Sequence, residues 1–253
     1  MKYNIFTVLN EGYEKFGLMF VSSIIDRLDL DLIGSIFLYD TGLSDVTKSK
    51  LLGFDKVVIV ESGIVTDDTD VLHSETWEKN VYSKAKLLKH CVQNQENFLP
   101  TIMVDADCIF IKEFFDLIDT TKDITACKRS HRGRGENHQA TSSHIGSFFS
   151  VNRRTEQAFT FLDTWIKKID EVSNIGHMGT YTPKESPALS VAYEELSESV
   201  KVSDLPEPVV ANIEHLTPDE ACILHLKSDF RFKTVESRVN QSRSRYYAKR
   251  YFL

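Results

Sequence analysis

Apolar residues in the first half of the chain alternate between short continuous runs and helical spacing. Tyr3–Leu9 is a compact apolar run that predicts a strand. From Glu14 to Leu28 the apolar positions Phe16, Met19, Phe20, Ile24 and Leu28 recur at the spacing of one helix face. Leu32–Tyr39 reads as a second strand, and Asp40-Thr41-Gly42 follows with turn chemistry. Asp55–Glu61 carries Val57-Val58-Ile59-Val60, a run without polar interruption, as a strand covered on both faces requires. Thr76–Val92 predicts a lysine-rich helix, and Thr101–Val104 another buried strand. Strands alternating with helices in this order predict an open α/β sheet, mixed but mostly parallel, flanked by helices.

The second half is less periodic. Ile124–Lys128 and Ile145–Val151 read as strands, Arg154–Ile169 as an amphipathic helix and Ala221–Leu226 as a last strand. Between the first two lies Arg129–Ser143, with Gly133, Gly135, three arginines and no apolar period, which predicts an exposed, mobile loop. Ser173–Pro187 is punctuated by Gly and Pro and leads into a helix from about Ala188 to Leu196. No repeat and no linker interrupts the chain, so a single domain over 1–253 is expected. Its halves are 1–120 and 121–235, followed by a basic tail at 236–253.

Composition narrows the function classes. The 253 residues carry 30 Lys+Arg against 37 Asp+Glu, a formal charge of −7, which disfavours nucleic acid as a partner. Cys91, Cys108, Cys127 and Cys222 are far apart, without the close pairs of a zinc ribbon or a dense disulfide framework. They read as reduced, buried thiols. No signal-peptide pattern or membrane-length apolar stretch occurs, so a soluble, cytoplasmic protein without a transmembrane segment is expected.

The chemistry centres on Asp105-Ala106-Asp107. Two carboxylates at i and i+2, where a strand gives way to a turn, can converge on one hard divalent cation such as Mn²⁺ or Mg²⁺. The chain has three such D-x-D pairs, at 29/31, 68/70 and 105/107, and composition alone produces about one. Context separates them. Only 105/107 ends a buried strand, the edge at which open α/β sheets bind ligands.

Pro100 to Ile118, with its apolar strand, D-x-D and following apolar pair, resembles the core of the GT-A glycosyltransferases. The resemblance is nearest to family 8, the glycogenin and bacterial galactosyltransferase group. Further segments match in order. Asn4–Asn10 is similar to the first strand, whose end holds the nucleotide, which implies donor contacts from Thr7 and Asn10. Tyr39-Asp40-Thr41-Gly42 is similar to the segment beside the nucleoside, with Asp40 in contact. Tyr82–Leu88 is similar to the helix that offers a cation to the donor, and Lys86, followed by Leu-Leu, fits best. Gly146–Asn152 is similar to the strand after the loop. Ile223-Leu224-His225-Leu226-Lys227 is similar to the late strand that brings a histidine to the metal. The chain departs from the family at Glu185-Ser186-Pro187, where Asp-Gln is usual, and at Ser228, where Gly is usual.

The resemblance implies a metal-dependent transfer of a sugar from a nucleoside-diphosphate sugar, UDP-linked, to a glycan or other hydroxyl acceptor. Asp105, Asp107 and His225 would hold Mn²⁺ or Mg²⁺. Thr7, Asn10, Asp40, Lys86, Asp105, Ala106 and Asp107 would contact the donor, and Glu185 would be the catalytic carboxylate. Bland readings stand beside these. His225 suits a satisfied core histidine, Asp40 a turn former, Lys86 a solvated helix face, and the loop residues Arg129, Arg132 and Arg134 solvent. Two other classes are open: a D-x-D phosphatase, in which the motif usually opens the chain, and a non-catalytic carbohydrate-binding relic.

Overall fold

The computed structural model describes residues 1–64, 66, 75–129, 143–171, 185–212 and 219–226. The expected loop from 130 to 142, most of the Gly- and Pro-punctuated segment up to 184, and the basic tail lie outside the described residues.

A seven-stranded sheet forms the frame, in the order β3-β2-β1-β4-β7-β6-β8. Its strands are β1 (Tyr3–Leu9), β2 (Ile33–Asp40), β3 (Val57–Glu61), β4 (Thr101–Val104), β6 (Ile124–Lys128), β7 (His144–Val151) and β8 (Val202–Leu205). β1 runs parallel to β2 and β4, β2 to β3, and β6 to β8. Only β7 is reversed, antiparallel to both β4 and β6. The expectation of a mixed, mostly parallel sheet therefore holds. A second, three-stranded sheet joins β5 (Cys108–Phe110), β10 (Ile223–His225) and β9 (Val210–Asn212).

Period-two alternation along β1 feeds two cores. Tyr3, Ile5 and Leu9 face the layer built on α1 (Glu14–Arg27), while Phe6 faces the layer of α3, α4 and α5. These helices are α3 (Glu75–Gln93), α4 (Glu156–Glu171) and α5 (Glu185–Leu196). Trp165 of α4 is fully buried with its ring 5.1 Å from that of Phe149 on β7. Its indole N–H donates to the Glu185 carbonyl at 3.1 Å and so ties α4 to the start of α5.

Helix boundaries follow local capping. Thr155 accepts the Ala158 N–H at 3.2 Å, which starts α4 at Glu156, two residues after the expected Arg154. α5 begins at Glu185, three residues before the expected Ala188. Pro187 is no obstacle there, because first-turn N–H groups have no partner within the helix. The structure adds α2 (Asp45–Leu51), capped by Ser44, and the short strands β5, β8 and β9, none of which the apolar pattern predicts. Strands of three or four residues are too brief to display a period.

Candidate functional site

The strand order places a crevice where β1 lies between β2 and β4. Successive connections leave in opposite directions there, and open α/β sheets bind ligands at such a point. Asp105 and Asp107 follow β4 at this edge. Their turn is closed by Cys108 N–H donating to the Asp105 carbonyl at 3.1 Å, and Asp105 N–H donates to Ser147 of β7 at 3.1 Å.

His225 reaches the same point from the far end of the sequence. β10 pairs antiparallel with β5, His225 opposite Cys108, and Leu226 N–H donates to the Asp107 carbonyl at 2.9 Å. The imidazole Nε2 thereby lies 3.2 Å from Asp107 Oδ1 and 3.7 Å from Asp105 Oδ2. His225 is 2% exposed, and neither ring nitrogen has a hydrogen-bond partner among the described residues. An imidazole desolvated without hydrogen bonds is unfavourable unless something else satisfies it. The imidazole lies near a carboxylate oxygen of each aspartate, and ligand atoms of Asp107, Cys108 and His225 all lie within 4.8 Å of one another, so the residues at this turn offer donors that fit a divalent cation.

A second cluster adjoins this one. Lys84 of α3 places its ammonium 2.5 Å from Asp105 Oδ1 and 2.6 Å from Glu185 Oε1. Burial opposes the charge on Lys84. The Asp105 and Glu185 carboxylates outweigh it and hold the ammonium above the ordinary lysine range. Counting Asp105, Asp107 and Glu185 against Lys84 leaves a formal charge of −2, attractive to a divalent cation.

Glu185 is held in place by its neighbours. Ser186 accepts the Gly146 N–H at 2.9 Å, and Ser190 accepts the N–H groups of Ser143 and His144 at 3.0 and 3.2 Å. The β6 ladder is irregular here: Ala126 pairs with Phe149 but Cys127 with Ile145. Gly146 thus bonds to α5 instead of β6. A Cβ at Gly146 would lie 2.6 Å from Glu185 Cδ, so the glycine provides the space that the carboxylate occupies.

The other expected donor residues are placed differently. Asn10 is buried just after β1, with no hydrogen-bond partner for its Oδ1 among the described residues. Thr7 is buried within β1, and Ala106 is buried between the two aspartates. Asp40 Oδ1 accepts from Gly42 N–H at 2.7 Å and Leu43 N–H at 2.6 Å, while Oδ2 pairs with Lys48. Its carboxylate is engaged by the turn and the helix after β2, which is the turn-forming reading. Lys86, expected as a donor contact, is exposed, and it is Lys84 of the same helix that lies beside Asp105. Two residues along a helix of 3.6 residues per turn rotate a side chain by about 200°. Lys84 falls in register with buried Leu88 and Cys91, and Lys86 with Lys89 and His90. That register was the available signal, and it favours Lys84.

Solved structures share this architecture. A bifunctional glycosyltransferase, WbbM, aligns with a TM-score of 0.59 at 11% identity, covering 90% of this chain and 46% of its own. The galactosyltransferase LgtC, in complex with donor and acceptor sugar analogues, aligns at 0.58 and 11% identity, covering 89% of this chain and 87% of its own. GlyE, a glycosyltransferase of Streptococcus pneumoniae TIGR4, aligns at 0.64 and 13% identity over 100% of this chain and 60% of its own. The fold is that of the GT-A glycosyltransferases. The chain spans less than half of WbbM but most of LgtC. No protein-family model and no curated protein matches the sequence. No helix among the described residues is long and apolar enough to cross a membrane.

Proposed function

We propose that the protein is a metal-dependent glycosyltransferase that moves a sugar from a nucleoside-diphosphate sugar, UDP-linked, to a hydroxyl of a glycan or other acceptor. The observation that carries this reading is the meeting of Asp105, Asp107 and His225 at the ligand-binding edge of a GT-A sheet.

Asp105, Asp107 and His225 hold Mn²⁺ or Mg²⁺ in this reading. The bound cation supplies Lewis-acid stabilisation of the negative charge that develops on the departing diphosphate. Lys84 adds a fixed positive charge at the same edge, positioned by its two carboxylate partners. Glu185 orients Lys84 and presents a carboxylate toward the transferred sugar and acceptor. Asn10 offers its buried amide oxygen, unpartnered among the described residues, as an acceptor for a donor N–H or hydroxyl. The nucleotide is bound by 1–120 and the acceptor by 121–235.

Thermal unfolding with UDP-, GDP- and CMP-sugars, each with and without Mn²⁺, tests the proposal. A ligand at 100 times its Kd stabilises the folded state by about 2.7 kcal/mol. A UDP-sugar should raise the melting temperature only when Mn²⁺ is present. No stabilisation by any nucleotide sugar with Mn²⁺ would overturn the reading.

A further inference from the structure

We propose that Cys108 is a sulfur ligand in this cluster, making it a site for thiophilic divalent cations of the zinc, cadmium and cobalt class. The inference rests on the preceding reading only in sharing Asp107 and His225. It concerns metal chemistry and not sugar transfer.

The placement follows from the second sheet. Cys108 opens β5 directly opposite His225 of β10. Cross-strand partners project to the same face of a sheet, so thiol and imidazole share a side. One ligand atom each from Asp107, Cys108 and His225 lie within 4.8 Å of one another, and all three residues are buried. Tetrahedral Zn²⁺, with bonds of roughly 2.0–2.3 Å, separates its ligands by roughly 3.5 Å, so small side-chain rotations bring the three onto one ion. A second observation points to a ligand independently of the cysteine. The buried His225 ring faces this space with neither nitrogen hydrogen-bonded among the described residues.

Donor type then sets metal preference. An all-oxygen set favours Mg²⁺ and Mn²⁺, whereas thiolate with imidazole favours Zn²⁺ and its relatives. With a sulfur, a nitrogen and a carboxylate in reach, the site has two faces. Asp105, Asp107 and His225 suit Mn²⁺, and Asp107, Cys108 and His225 suit a softer ion. The other three cysteines lie on α3, on β6 and just before β10 and belong to no such group among the described residues.

The test titrates the nucleotide-free protein with Co²⁺, Cd²⁺ and Mn²⁺ and compares wild type with Cys108→Ser and Cys108→Ala. Co²⁺ should give a sulfur-to-cobalt charge-transfer band in wild type that both variants lack. Cd²⁺ affinity should fall at least about tenfold in the variants while Mn²⁺ affinity changes by less than about twofold. Peptide-resolved alkylation of wild type needs no variant: Cd²⁺ should slow reaction at Cys108 more than at Cys91 or Cys127. Absence of the band, Cd²⁺ affinity unchanged on substitution, or equal slowing at all cysteines would each overturn the proposal. Mn²⁺-dependent nucleotide binding without the band would overturn this inference alone. The band without any nucleotide binding would overturn the glycosyltransferase reading alone.

Discussion

Asp107 and Gly146 govern the site in different ways, one by charge and one by the absence of a side chain. Asp107→Asn keeps the backbone bond from Leu226 and nearly the same volume, so the fold should survive with an unchanged circular dichroism spectrum. Mn²⁺-dependent nucleotide binding should be lost, as isothermal titration would show. Retention of that dependence would remove Asp107 from the metal set. Gly146→Ala places a methyl 2.6 Å from Glu185 Cδ. The side chain must move, at a stability cost of about 1–3 kcal/mol. The larger effect should be on turnover, which a misplacement of about 1 Å lowers by on the order of 100-fold. Nucleotide affinity should change little, and equal losses in affinity and rate would put Glu185 on the donor side.

Both roots of the 130–142 segment converge on β8. Lys128 at the end of β6 lies 2.8 Å from Asp204 Oδ2, and His144 at the start of β7 places Nε2 3.2 Å from Asp204 Oδ1. Tyr193 of α5 stacks on His144 with centroids 4.0 Å apart and donates to Asp204 at 3.1 Å. Burial lowers the His144 pKa below the ordinary histidine value, and the neighbouring Asp204 only partly restores it. The folded state therefore binds fewer protons than the unfolded state. The stability contribution is complete above the unfolded pKa of about 6.5 and is lost as pH falls from there toward the lowered folded value. Melting temperatures between pH 7.5 and 5 should fall less steeply in His144→Gln than in wild type. Parallel curves would show that His144 does not titrate with folding. Lys128 is largely exposed, so its ion pair contributes little. Asp204→Ala should still cost about 1–3 kcal/mol in denaturant unfolding, because Tyr193 and His144 lose a shared partner.

Across the whole molecule the site joins two sheets. Asp105 and Asp107 follow β4 of the large sheet, and His225 belongs to the small one. A cation held by all three would add a link between sheets that the chain already joins at the 105–107 turn and through residues 206–209 between β8 and β9. Mn²⁺ with a UDP-sugar should therefore slow amide exchange in β5 and β10, while the edge strand β3, far along the strand order, changes little. Uniform slowing, or none at β10, would separate His225 from the cation.

The sequence by itself determined the elements with a period and the chemistry carried by neighbours along the chain. The strands β1, β2, β3 and β4 and the helix α1 were legible because their apolar residues repeat over five or more positions or form an uninterrupted run. Asp105 and Asp107 were legible because they are two residues apart and end such a run. Tertiary structure alone decided what meets what. The pairing of β10 with β5 puts His225 against Asp107 across more than a hundred residues, and no local pattern encodes that register; only family resemblance anticipated it. Lys84, not Lys86, stands beside Asp105 because the rotation of α3 is fixed by which side packs on the sheet. Cys108 and Gly146 were passed over as sequence because their roles lie in what is opposite them, His225 in one case and Glu185 in the other. Periodicity reports which face of an element is buried, and only packing specifies the partner that the face is buried against.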